Sequence, residues 1–139
     1  AFEKADVAVL SAAVADYTPA QPADQKIKKK DAEFSLALRK TADIAATLGE
    51  RKRPGQLLVG FALETENEED NARKKLRSKN LDWIVLNSLR DAGAGFGHDT
   101  NQITVISADG TSQQFPLKSK DDVAADLVAI VIERLVAHG

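Results

Sequence analysis

The sequence predicts an α/β protein, a Rossmann-like three-layer sheet with parallel central strands followed by a C-terminal β-hairpin and helix. Three observations carry this expectation. Apolar runs without polar alternation lie within Asp6–Ser11, Gln56–Leu63 and Trp83–Leu86, and such runs suit strands buried on both faces of a parallel sheet. Segments with helix-start signals follow the first two of these runs, as a layered α/β fold requires. Asp109-Gly110 separates two further extended stretches, and this dipeptide supplies the positive φ that a tight hairpin turn needs.

Taken in order, the first strand is expected to end near Ser11. Tyr17 to Lys30 holds Pro19, Pro22 and the run Lys26-Ile27-Lys28-Lys29-Lys30 without helical or strand period, and so reads as a long loop or flap. Glu33–Arg39 alternates polar and apolar, which predicts a strand with one wet face. Thr41–Leu48 predicts a short helix with Thr41 as N-cap, Asp43 in the first turn and Gly49 closing the far end. Pro54 and Gly55 make a turn into the second strand. Thr65 and Glu68 form a capping-box pattern for a helix running to about Lys79, with Ala72 and Leu76 inward. After the third strand, Asn87 to Asn101 is Gly-rich and aperiodic, a loop. Gln102–Ile106 and Gln113–Leu117 form the hairpin, and Ser119 with Asp122 caps a last amphipathic helix reaching about His138.

Composition bounds the chemistry. The 139 residues, 43% of them hydrophobic and 29% charged, have ordinary globular composition and suffice to bury roughly two-thirds of the surface of the unfolded chain. No apolar run approaches the roughly 18 residues of a membrane helix, and the first residues lack a basic region followed by an apolar one. The expectation is a cytoplasmic protein without a membrane partner. With no cysteine, and with His98 and His138 far apart, thiol chemistry and Cys- or His-rich metal sites drop out. A net charge of −2 argues against a nucleic-acid surface, so anion affinity must come from local lysines.

Two features stand out on their residues alone. Asp16 follows a buried strand, where ligands of open parallel sheets sit; it can accept from ribose hydroxyls or a base amine, or it can serve only as a turn former before Tyr17-Thr18-Pro19. Lys75 and Lys79, spaced i,i+4, share a helix face and could grip a polyphosphate, or they could be surface residues partnered by Asp70 and Asn71. The Lys26–Lys30 run can equally be a solvated face, and Phe61 either a stacking ring or core. No Walker loop is present. The Gly93–Gly97 spacing does not join a strand to a helix as a dinucleotide fingerprint must, and no Ser/His/Asp arrangement has supporting context.

In chain order, Ala12-Ala13-Val14-Ala15-Asp16-Tyr17, Lys26-Ile27-Lys28-Lys29, Gly60-Phe61-Ala62-Leu63-Glu64-Thr65, Lys75 with Lys79-Asn80-Leu81-Asp82, and Phe96-Gly97 with Asp99 and Asn101 closely resemble one family. That family is phosphopantothenoylcysteine synthetase, the carboxy-terminal half of the bacterial bifunctional coenzyme A biosynthesis flavoprotein. The resemblance implies a CTP-dependent ligase joining 4′-phosphopantothenate to L-cysteine through an acyl-cytidylate, with Mg2+ at the phosphates and FMN confined to the decarboxylase half. It further implies that Leu10, Ser11, Ala12 and Asp16 hold the cytidine part, that Ala42, Asp43, Ile44 and Ala45 line the nucleotide pocket, and that Phe61 packs on cytosine. Lys75 and Lys79 would hold the triphosphate and Lys26, in the flap, would meet the phosphates at the reacting centre. The metal ligands stay unassigned.

The match is imperfect in places. Thr41-Ala42 stands where the family has Asn-Pro before Asp-Ile, and Leu63 replaces an alanine. Against the family, the opening Gly-rich strand, helix and Asn-bearing loop are missing, so the expectation is a single synthetase domain, residues 1–139, that is a fragment with part of the active site left behind. Family members dimerise, with the flap and hairpin as expected contacts and a fused decarboxylase half in the longer protein. Two other readings remain: a non-catalytic nucleotide-binding and dimerisation module, and an NAD-type oxidoreductase, disfavoured by the missing glycine fingerprint.

Overall fold

The computed structural model describes residues 1–21, 35–88 and 100–138. After a short 3-10 turn at Phe2–Lys4, the chain runs through β1 (Val7–Leu10), β2 (Tyr17–Pro19), β3 (Leu38–Lys40), α1 (Ile44–Glu50), β4 (Leu57–Glu64), α2 (Glu68–Ser78) and β5 (Trp83–Ser88). Then follow β6 (Thr100–Asn101), β7 (Ile103–Ser107), β8 (Ser112–Gln114), β9 (Lys118–Ser119) and α3 (Lys120–His138). The main sheet has the order β1-β4-β5-β7-β8. Its first three strands are parallel and its last two antiparallel. Two small ribbons, β2 with β3 and β6 with β9, lie outside it.

The layers follow from side-chain alternation along the central strands. One face gathers Leu57, Val59, Trp83, Val85, Ile103 and Val105 against Val123, Leu127 and Ile130 of α3. The other gathers Leu58, Ala62, Ile84, Leu86 and Ile106 against Leu48 of α1 and Ala72 and Leu76 of α2. Both faces of β4 and β5 are thus covered, the reason their sequences show apolar runs without alternation. Buried Gln56 ties the amino terminus to this core. Its Nε2 donates to the carbonyls of Phe2 and Ala5, both at 2.7 Å, and its Oε1 accepts from the Arg53 amide.

Several local expectations change. β1 is the edge strand of the described sheet, and Val9 is 53% exposed instead of buried on both faces. Tyr17–Pro19 is no loop; it pairs with β3, itself shorter than the Glu33–Arg39 run. The N-cap of α1 is Asp43, whose Oδ1 accepts from the Ala46 amide at 3.0 Å, because the Thr41 hydroxyl is engaged by the Ala15 carbonyl at 2.6 Å. Thr65 and Glu68 form no capping box, since Asn67 takes the cap position of α2 in a left-handed conformation with φ 45°. The expected cap at Ser119 does form: its hydroxyl donates to Asp122 Oδ2 at 2.7 Å and accepts from the Asp122 amide at 3.1 Å. Asn87 and Ser88 extend β5 instead of opening the loop, whose residues 89–99 lie outside the described residues.

Gly49 does not end α1; it lies inside the helix and is buried. A Cβ there would stand 1.9 Å from the Lys79 carbonyl oxygen. The Asn80 amide side chain donates to the Gly49 carbonyl at 2.9 Å, which locks α1 against the end of α2. Gly49→Ala is therefore expected to destabilise the fold by about 1–3 kcal/mol through overpacking, where an exposed helical site would gain about 1 kcal/mol. A drop in urea midpoint measures this, and an unchanged midpoint would mean that the two helices separate without cost.

Candidate functional site

β1 and β4 run in parallel and their pairing ends at Leu10 opposite Gly60. Beyond that point no described strand covers that edge, and a cleft of about 580 Å³ opens, a size that suits a small-molecule ligand. Its walls come from the chain after β1, the end of β3, the start of α1, the last half of β4 and one face of α2. Leu10, Ser11, Ala12 and Asp16 line it from the first wall, and Ala42, Asp43, Ile44 and Ala45 from the α1 side. Phe61 enters from β4, and Lys75 and Lys79 from α2 and its C-cap. Lys26, with Phe96, Gly97 and Asp99, lies outside the described residues. Asn101 falls in β6.

Phe61 is 38% exposed, so the reading of it as plain core fails; β4 leaves the cover of the helices just there. The Thr41 amide donates to the Asp16 carbonyl at 2.9 Å, which brings the strand-end acid beside the entry to α1. The Asp16 carboxylate itself has no hydrogen bond among the described residues.

Neither lysine is partnered from within α2, as Asp70 and Asn71 would have done. Lys75 Nζ lies 2.6 Å from Glu64 Oε1, at the end of β4, and Lys79 Nζ lies 2.9 Å from Asp43 Oδ2. Asp43 thus caps α1 with one oxygen and meets Lys79 with the other. The Ala46 amide first, and Lys79 second, hold its carboxyl below the usual carboxylate range. This carboxylate already occupies the start of α1, so that helix end is not an open anion site.

Two residues at or beside the cleft carry little signal in the sequence. Glu64 was visible only as part of a motif, with no sign of its pairing to Lys75. Lys40 lines the cleft from β3, and its place directly before Thr41-Ala42-Asp43 is the sequence signal for it. No group of three or more metal-ligating side chains occurs among the described residues, and no helix there is long and apolar enough to cross a membrane.

Fold and cleft together define an α/β domain with a cleft at the carboxyl ends of its parallel strands, the place where open sheets of this class take their ligands. The family model for the DNA/pantothenate metabolism flavoprotein C-terminal domain matches residues 1–135, and the chain belongs to that family. It is 54% identical over 132 residues to a cysteine/cysteine sulfinic acid decarboxylase of an unknown prokaryotic organism, covering 95% of this chain and 37% of that protein. It is 46% identical over 127 residues to the coenzyme A biosynthesis bifunctional protein CoaBC of Bacillus subtilis, covering 91% of this chain and 31% of that protein. The chain thus spans about a third of the length of these curated relatives. Among solved structures, the C-terminal domain of a CoaBC protein superposes with a TM-score of 0.76 at 38% identity, over 98% of this chain and 60% of that one.

The lowered Asp43 pKa fixes a sign. A carboxyl depressed in the folded state stabilises above its unfolded pKa of about 3.9, and that contribution is lost as pH falls through the lower folded value. Asp43→Ala is expected to cost about 1 kcal/mol at neutral pH, mostly from the lost cap. Thermal melts from pH 7 downward check this: the gap between wild type and variant should persist to about pH 4 and close only below it.

Proposed function

We propose that the cleft binds a cytidine triphosphate and that the chain forms the nucleotide-handling part of a ligase joining 4′-phosphopantothenate to L-cysteine in coenzyme A biosynthesis. The convergence of Asp16, Phe61, Lys75 and Lys79 on a single cleft at the strand ends carries this reading. These residues lie far apart in sequence, and together they offer a polar acceptor for a sugar or base, a ring for stacking and two ammonium groups for phosphate. The family resemblance and the CoaBC relatives support the same direction. The decarboxylase name attached to one relative describes a protein of which this chain spans 37%, and the cleft chemistry favours a polyphosphate.

On this reading the acyl carboxylate attacks the α-phosphate, pyrophosphate leaves, and the cysteine amine then displaces CMP from the acyl-cytidylate. Charge grows on the phosphate oxygens as the first step proceeds. Lys75 and Lys79 stabilise it best if it is greatest in the transition state, and Lys26 would act at the reacting centre. Mg2+ would bind mainly through phosphate oxygens and supply further charge neutralisation; no protein ligand is assigned to it. FMN would belong to the companion half of a longer protein. A cytoplasmic homodimer completes the proposal, and exposed Val128, Ile132 and Val136 along α3 support association.

CTP with Mg2+ should raise the melting temperature at millimolar concentration, and CMP should compete; no shift with either would reject the nucleotide reading. Phe61→Ala should weaken nucleotide binding about tenfold, in line with base–aromatic stacking, while costing less stability than the roughly 3–5 kcal/mol of a core phenylalanine. Lys26→Ala should suppress ligation by the full-length protein with little change in melting temperature. Equal losses of activity and stability would make Lys26 structural.

A further inference from the structure

Three lysines among the described residues line the cleft, and they differ in what they must give up to bind an anion. Lys79 lies 2.9 Å from Asp43 and Lys75 lies 2.6 Å from Glu64. Lys40 lines the same cleft, and its ammonium has no hydrogen bond or ion pair among the described residues. Its backbone, by contrast, is fixed. Lys40 pairs with Tyr17 across the β2–β3 ribbon, and the next residue is tied twice to the opposite wall, through the Thr41 hydroxyl on the Ala15 carbonyl and the Thr41 amide on the Asp16 carbonyl.

We infer that Lys40 is a further anion-binding residue of this cleft, whose ammonium meets a phosphate or carboxylate of the ligand while engaged by no described protein carboxylate. An ammonium has three donors, and none of those on Lys40 meets a described protein group. A charge-assisted bond to phosphate therefore replaces hydration only, whereas the same bond at Lys75 or Lys79 must share or displace an existing ion pair. Within the cleft, Lys40 also offsets Asp16, whose carboxylate would otherwise repel an approaching anion from that wall. The inference rests on the nucleotide reading for the ligand's identity, though its charge argument does not. The bound group can be a nucleotide phosphate or an anionic group of the acyl substrate.

Calorimetric titration of the whole chain with CTP, CMP, inorganic pyrophosphate and 4′-phosphopantothenate, at low and at moderate salt, tests it. Lys40→Ala should weaken at least one of these ligands about tenfold and flatten its salt dependence, with the melting temperature preserved and Lys40→Arg restoring most of the affinity. Loss confined to CTP and pyrophosphate points to the nucleotide, and loss confined to 4′-phosphopantothenate points to the acyl substrate. Wild-type affinity in all four arms overturns the inference. Should the wild type bind pyrophosphate but no cytidine nucleotide, the nucleotide reading fails while the pyrophosphate arm still decides Lys40; if the wild type binds none of the four, both fall.

Discussion

The absence of a side chain at Gly49 is the constraint from which the cleft's geometry follows. The Lys79 carbonyl occupies the space a Cβ would need, so α1 and the end of α2 meet backbone to backbone. That contact fixes the Lys79 main chain at the far end of α1, while its ammonium reaches Asp43 at the near end. The lysine side chain therefore points back along α1 toward the start of that helix. Backbone contact and ion pair clamp the helix at both ends. With α1 so held, Ala42 to Ala45 form one wall of the cleft that Phe61 also lines.

A similar economy governs β4. Its first four residues are buried on both faces, and its last four alternate toward exposure. One strand thus supplies the centre of the core and then, past Gly60, the floor of the cleft. Glu64 at its end reaches Lys75 on α2, so the strand that carries the aromatic ring also sets one of the cations. The sheet's change from parallel to antiparallel after β5 lets a tight hairpin, turned at Asp109-Gly110 with Gly110 at φ 93°, complete the core without another crossover helix.

The parts of this molecule legible in the sequence are those set by local chemistry. Apolar runs marked β4 and β5, the Asp-Gly turn marked the hairpin, and Ser119 with Asp122 marked the start of α3. What escaped depends on partners distant in the chain. Thr41 and Asp43 are both good caps; the choice of Asp43 follows from the Thr41 bond to Ala15, 26 residues away. Thr65 and Glu68 have the spacing of a capping box, but Asn67 tolerates the left-handed region and takes the position. β2 and β3 have three residues each, too short to show a period. The candidate site was legible as a set of residue types in order, while the ion pairs that hold its lysines were not. Glu64 and Lys75 meet only because β4 and α2 pack side by side.

Those pairs also decide how a polyanion could be accommodated on the proposed reading. Asp43 is half exposed and keeps its bond from the Ala46 amide, so releasing Lys79 from it forfeits little; exposed pairs of this kind contribute about 0–1 kcal/mol. Glu64 is different, with only 14% of its side chain exposed. Stripping Lys75 from it would leave a largely buried carboxylate uncompensated, and in a fully buried pair such a loss costs about 3–5 kcal/mol. Lys75 must therefore keep Glu64 and offer a phosphate its remaining donors, which its 45% exposure permits. The two lysines, equivalent by their i,i+4 spacing, are thus unequal in function: Lys79 can move to the ligand, and the ligand must come to Lys75.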